Sequence, residues 1–168
     1  MTATNHALTG ALIAVVVKKP ELAIPLAFLS HFMLDLIPHY NPPGVTRDSV
    51  ANNLAGWSEK MKSRTFRFIF AADMFLFLAA LVMVPLVAPA GVSAWTVFLS
   101  ALAAASPDFF GGFKYLVNLM FGAGSQAKTE GRLANFHLGL QWMERPWGIY
   151  VESAWAVLII SLLWLRVR

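Results

Sequence analysis

The chain has 168 residues, 58% of them hydrophobic and 13% charged, with no cysteine and a net charge of +4. Soluble domains are about 45–50% apolar and about 25% charged. This composition therefore excludes both a water-soluble globule and intrinsic disorder, and the lack of cysteine excludes disulfides, thiolate metal sites and cysteine nucleophiles. What remains is an all-α integral membrane protein, a single transmembrane domain over 1–168 in which a few helices cross the bilayer. The basic excess is read as loop lysines and arginines that orient the spans and touch anionic lipid headgroups. Nucleic acid is not expected as a partner.

In chain order, the first apolar run covers 6–17. It has no basic segment before it and no small-x-small cleavage site before Lys18, so it is read as retained. It is short of the roughly 20 residues that a full span needs, and suits a short helix, a tilted one or half of a re-entrant hairpin. Lys18-Lys19-Pro20 interrupts the pattern, and proline at a helix start points to a second helix opening near Glu21 and stopping at Pro38. Residues 41–64 are polar, with Pro42-Pro43-Gly44 as a turn signal and room for a short surface helix near 50–62. A third helix is expected over 66–87, closed by Pro89 and Gly91. A fourth starts near Ser93, is broken at Pro107 with Gly111-Gly112 following, and resumes to Phe121. After a glycine-rich loop over 122–131, Leu133, Phe136, Leu140 and Met143 recur at helical spacing and describe an interfacial amphipathic helix. The fifth span runs from about 147 to 165, with Trp147 and Trp164 near its ends as an aromatic belt would have them.

Five crossings put Arg47, Lys60, Lys62, Arg64, Arg67, Lys114, Lys128, Arg132 and Arg145 on the N-terminal side. The opposite side carries Lys18, Lys19, Arg166 and Arg168. This asymmetry puts the N-terminus in the cytoplasm.

Against this apolar background the ionisable residues stand out. All four histidines (His6, His31, His39, His137) lie beside or within apolar segments, as do Asp35, Asp73 and Asp108. Such groups cost at least about 2.5–3.5 kcal/mol on insertion scales, so their placement is a functional hypothesis by default. His31 and Asp35 are four residues apart and share a helix face. His39 follows four later, beyond Pro38. A His/Asp/His stripe suits a metal that accepts imidazole nitrogen and carboxylate oxygen: zinc first, manganese or iron next. The bland alternative is a His–Asp pair that stabilises helix packing. With the topology above, His6, the 31–39 stripe, Asp73, Asp108, His137, Glu144 and Glu152 all fall at the cytoplasmic end of their segments, which points to one shared site. Asp73 could instead pair with Arg64 or Arg67, Asp108 could cap a broken helix, and Glu144 could pair with Arg145. Asn5 could serve as a helix cap.

An early Asn5-His6, then Ser-His-x-x-x-Asp-x-x-Pro-His over 30–39, then Pro107-Asp108 in a later helix and a late His137, resembles the bacterial YdjM-like integral membrane proteins, a family of membrane-bound metal-dependent hydrolases. Ser30-His31 stands nearest to the family's Thr-His. The resemblance covers the helical layout and His6, Asp35, His39 and Asp108, and implies a metal-dependent hydrolase in a bacterial inner membrane.

Two readings compete. In the first, His31, Asp35 and His39, with His6 and Asp108 or His137, hold one or two divalent metal ions. The metal activates water against a phosphoester or ester of a lipid or lipid-linked substrate, with Asp73 or Glu152 as general base. No Gly-x-Ser-x-Gly or Walker A sequence offers a competing chemistry. In the second, the acids, histidines and broken helix form a metal-ion or proton pathway. A non-catalytic membrane subunit with a His/Asp packing network is a third possibility.

Overall fold

The computed structural model describes residues 1–43, 60–121, 136, 140 and 143–167. Five long helices dominate: α1 (Ala3–Val17), α2 (Pro20–Asp35), α3 (Arg64–Leu86), α4 (Ala94–Phe121) and α5 (Gly148–Val167). Two short strands, β1 (His39–Tyr40) and β2 (Glu144–Arg145), complete the order. The surface helix expected near 50–62 lies mostly outside the described residues, as does most of the amphipathic helix at 132–143.

Each helix boundary has a local cause. α1 ends where Lys18 takes the left-handed conformation, φ 64° and ψ −13°, and donates its N–H to Ala14 O at 2.9 Å. α2 opens one residue earlier than expected, with Pro20 itself as a first-turn residue that has no N–H to waste. At the start of α3, Ser63 Oγ accepts from Phe66 N at 3.2 Å, which satisfies one of the unpaired first-turn donors. Gly91, at φ 85°, makes the turn between α3 and α4, a conformation that other residues adopt only with strain.

The expected break at Pro107 does not occur. α4 runs through it as one 28-residue helix. A proline at this position cannot bond the carbonyl four residues back, which is Ala103 O. The Ser106 hydroxyl donates to that carbonyl instead, at 2.9 Å. The neighbouring carbonyl, Ala104 O, receives a hydrogen from the His31 ring at 2.8 Å. Side chains thus take over acceptors beside the proline, and the helix survives.

α1 is the central element and touches all four other helices. Its inner face is built from small residues: Ala3, Ala7, Ala11 and Ala14 are buried against Val97, Ala101, Ala104 and Ala105 of α4. At Gly10 the two helices are so close that a Cβ would overlap Ser100 O and come within 2.8 Å of Ala104 Cβ. Close backbone approach through small residues is how helices associate where no hydrophobic effect separates them from their surroundings. β1 pairs in parallel with β2, His39 opposite Glu144 and Tyr40 opposite Arg145. The sequence reading had no strand there. The His39 backbone lies directly against Gly148, where a Cβ would collide with it, so β1 is seated on the first turn of α5.

Among the described residues, two helices are long and apolar enough to cross a membrane, Arg64–Leu86 and Gly148–Arg166, while Ala3–Val17 is a shorter apolar helix. Only 11% of the apolar stretch of α3 and 22% of that of α5 is buried inside the protein. Phe68, Phe75, Leu78, Val82 and Leu86 on α3 face outward, as do Val157, Ile160, Trp164 and Leu165 on α5. The interior, by contrast, holds Asn5, His6, Thr9, His31, Asp35, His39 and Glu152. Buried polar groups thus sit beside the apolar core, while large apolar side chains line the outside of α3 and α5.

Candidate metal centre

Three helices bring four ligand-type side chains to one point. α1 carries His6 in its first turns, α2 carries His31 and Asp35 one turn apart, and α4 carries Asp108 just after Pro107. His6 Nε2 lies 3.2 Å from Asp35 Oδ1 and 3.8 Å from Asp108 Oδ2. His31 Nε2 lies 3.2 Å from Asp35 Oδ2 and 3.7 Å from Asp108 Oδ1. One donor atom from each of the four residues falls within 4.8 Å of the others. A tetrahedral ion with bonds of about 2.0–2.2 Å has donor–donor edges of about 3.3–3.6 Å. The four His–Asp separations lie close to that range but use both oxygens of each carboxylate, so the side chains would draw together by about an ångström around a tetrahedral ion.

The hydrogen positions follow from the partners. Ala104 O can only accept, so the ring hydrogen of His31 sits on Nδ1. In the neutral ring this leaves a lone pair on Nε2, pointed at two carboxylates. A cation between them, such as a proton or a metal ion, relieves that opposition. Protonating both rings is unfavourable, because His6 and His31 stack with centroids 4.0 Å apart and 23° between planes. Two unit charges at that distance repel by about 4 kcal/mol at an effective dielectric of about 20. A single divalent ion neutralises both carboxylates and leaves both rings uncharged. The carbonyl-anchored Nδ1–H of His31 is also the usual outer support of a metal-binding histidine. The donor set therefore fits a metal ion.

His6, His31 and Asp35 are fully buried, whereas the Asp108 side chain is 25% exposed, so the centre opens to the outside along Asp108. The Met1 ammonium donates to Asp35 Oδ1 at 2.6 Å.

A second polar region lies where α1, β1, β2 and α5 meet. Glu152, on α5, accepts from Tyr40 N at its Oε1, 3.1 Å away, and its backbone carbonyl accepts from Asn5 Nδ2 at 3.1 Å. His39 Nδ1 donates to Ile37 O at 2.9 Å and turns Nε2 towards Glu144 Oε1, 3.7 Å away. Lys60 Nζ donates to the same Glu144 oxygen at 2.8 Å. Burial alone would raise the Glu144 carboxyl, but His39 and the Lys60 ammonium outweigh it and hold the group down to about 2. Glu144 is therefore ionised at neutral pH.

The sequence-derived site residues thus separate. His6, His31, Asp35 and Asp108 converge, while His39 and Glu152 belong to the second region. Asp73 is at a third place: its Oδ2 and Oδ1 accept from the backbone N–H groups of Ala3 and Thr4 at 2.9 and 3.0 Å, and Thr4 Oγ1 donates to its carbonyl at 3.0 Å. It caps the start of α1 from a neighbouring helix, one turn below His6. His137 lies outside the described residues. Asn5, considered from sequence only as a helix cap, instead links α1 to α5; its place next to His6 was the available hint. The Ala104 carbonyl had no sequence signal at all. A shallow furrow on the outer side of α5, lined by Ile160, Ser161, Trp164 and Leu165, holds no titratable group and carries no chemistry.

No family model, curated protein or solved structure matches this chain.

Proposed function

We propose that the chain is a polytopic membrane protein whose His6/His31/Asp35/Asp108 group binds a divalent metal, zinc first among the candidates, and that it hydrolyses a phosphoester or ester of a lipid-linked substrate. The observation that carries this reading is the convergence of two imidazole nitrogens and two carboxylates from three helices at ligand spacing. The unburied apolar faces of α3 and α5 support lipid as the surrounding solvent. On this reading all five long helices lie in the bilayer, with the N-terminus and the basic loops in the cytoplasm and the centre near the cytoplasmic headgroups of a bacterial inner membrane. The resemblance to the YdjM-like hydrolases points the same way.

A divalent ion held there would lower the pKa of a bound water and polarise a phosphoryl or acyl oxygen. The chain's own residues set the stage. Ala104 O fixes the His31 tautomer, Asp73 anchors the turn that leads to His6, and the partly open Asp108 edge admits water and a headgroup. Asp73 has both carboxylate oxygens occupied by α1, whereas Glu152 retains a buried oxygen, Oε2, without a hydrogen-bond partner. Transport is less well supported, because the buried acids and histidines gather at one end of the bundle rather than stepping across it.

The test is metal content per chain, by elemental analysis, in wild type, His31→Ala and Asp35→Ala. Bound metal that falls by one ion per chain in both variants is the expected result. Wild-type protein without metal under metal-replete conditions overturns the reading. Phosphoesterase activity in the metal-loaded protein, against cation flux in liposomes, then separates hydrolysis from transport.

A further inference from the structure

The metal centre takes its four side chains from α1, α2 and α4, and α5 supplies none of them. Yet α5 holds α1 by two polar rungs. In the first, Asn5 Nδ2 donates to Glu152 O at 3.1 Å. In the second, Trp155 Nε1 donates to Thr9 Oγ1 at 3.1 Å. The Thr9 hydroxyl gives its own hydrogen to Asn5 O, 2.8 Å away and one turn back on α1. Its lone pair is therefore what meets the indole, a group that can only donate. Asn5 and Thr9 are 2% and 8% exposed, so water from outside does not compete for these bonds.

The spacing makes the two rungs a clasp. Asn5 and Thr9, four residues apart, share one face of α1, and Glu152 and Trp155, three apart, share one face of α5. One rung alone would let α1 pivot, whereas two fix both its rotation and its slide against α5. The contact with α4 acts differently. Its alanine methyls and Gly10 set how closely the axes approach, but small groups offer only low ridges to interlock against rotation. Rotation matters because His6 follows Asn5 directly, about 100° further round the helix. Turning α1 by about 20° would carry a side-chain tip, about 5–6 Å from the axis, through about 2 Å. Metal–ligand bonds tolerate only about 0.2 Å.

We propose that Thr9 and Trp155 are positioning residues of the metal centre. Their bond, with that of Asn5 to the Glu152 carbonyl, clasps α1 to α5 and aims His6 at Asp35 and Asp108. The inference rests on the metal reading of the centre and deepens it: a helix that carries no ligand sets how firmly the ion is held.

The experiment is a cobalt(II) titration of the chelator-stripped full chain in detergent, read by visible absorption, which reports the number and kind of ligands on the ion. Thr9→Val removes the hydroxyl and keeps the side chain's shape, Trp155→Phe removes the N–H and keeps a ring, and Thr9→Ser keeps the hydroxyl. Thr9→Val and Trp155→Phe should each weaken cobalt binding by about tenfold and move the cobalt spectrum towards that of His6→Ala. The double variant should lose no more than either single one, because both remove the same bond. Thr9→Ser should retain the wild-type affinity and spectrum. A lowered melting temperature in chelator, with wild-type cobalt affinity and spectrum in Thr9→Val and Trp155→Phe, would show that the clasp only stabilises the fold. That result overturns the inference and leaves the centre intact. Wild type that binds no cobalt overturns the metal reading itself, and this inference with it.

Discussion

The two polar regions of this protein are assembled by different means. The His6/His31/Asp35/Asp108 centre is held by helix packing: every ligand sits on a long helix, two of them one turn apart, and the approach of α1 to α4 at Gly10 sets the distance across. The region around His39, Glu144 and Glu152 is held by hydrogen bonds from a two-residue strand pair seated on the end of α5. A centre built on packed helices is a matter of axial separation and register. One built on a strand pair depends on each bond in turn. The first should respond to changes in volume, the second to changes in charge.

The largest effect is expected at the helix crossing. Gly10→Ala drives a methyl into Ser100 O and Ala104 Cβ, and overpacking of this kind costs about 1–3 kcal/mol. Because the crossing sets how far His6 lies from Asp108, metal affinity of the first centre should fall with the melting temperature. Unchanged affinity alongside lowered stability would show that axial separation does not govern the centre.

Asp73→Ala tests a residue that serves both regions. It removes the acceptors for two first-turn N–H groups of α1, a capping loss of about 1–2 kcal/mol. The loosened turn carries both Asn5 and His6, so metal binding should weaken by roughly tenfold, with Asp73→Asn intermediate because it keeps one carbonyl acceptor. If Asp73 were a general base, Asp73→Asn would abolish hydrolysis and leave metal affinity intact. That outcome would reverse the assignment.

The smallest effect on the metal centre is expected at Lys60, whose removal in Lys60→Met should leave the first centre unaltered. Its signature is a pH dependence in chelator-treated protein. Glu144 falls from its ordinary 4.5 to about 2 in the folded chain. A depressed acid stabilises the fold fully above about pH 4.5 and loses that contribution as pH falls towards about 2. Without the Lys60 charge the loss should begin at higher pH, which thermal melts across that window would show. Coincident melting curves for the two proteins would mean that the Lys60 contact contributes nothing.

How far the candidate site was legible depends on the range of each signal. The His31–Asp35 pair could be read directly, since a separation of four residues on a helix defines a shared face. That His6 and Asp108 join them was expected from a common membrane depth and from the family resemblance, with His39 and His137 named beside them. Pro107 was read as a break, because proline rules describe the backbone alone and not Ser106 supplying a substitute donor to Ala103 O. Asp73 was placed among the acids of the site on depth alone. Its carboxylate turns instead to the start of α1, where unpaired backbone donors attract it. β1 and β2 went unseen because two residues carry no periodicity.

Composition and spacing by themselves determined that the chain is helical, that it has helices long and apolar enough to cross a membrane, and that His31 and Asp35 share a face, for these follow from local chemistry and the 3.6-residue turn. Which of the scattered acids and imidazoles meet was decided only in three dimensions. Small residues along α1 and α4 let those helices close to backbone contact, and that approach brings His6 to Asp108, 102 positions apart along the chain. Burial then forces each polar group to find whatever partner the packing leaves within reach.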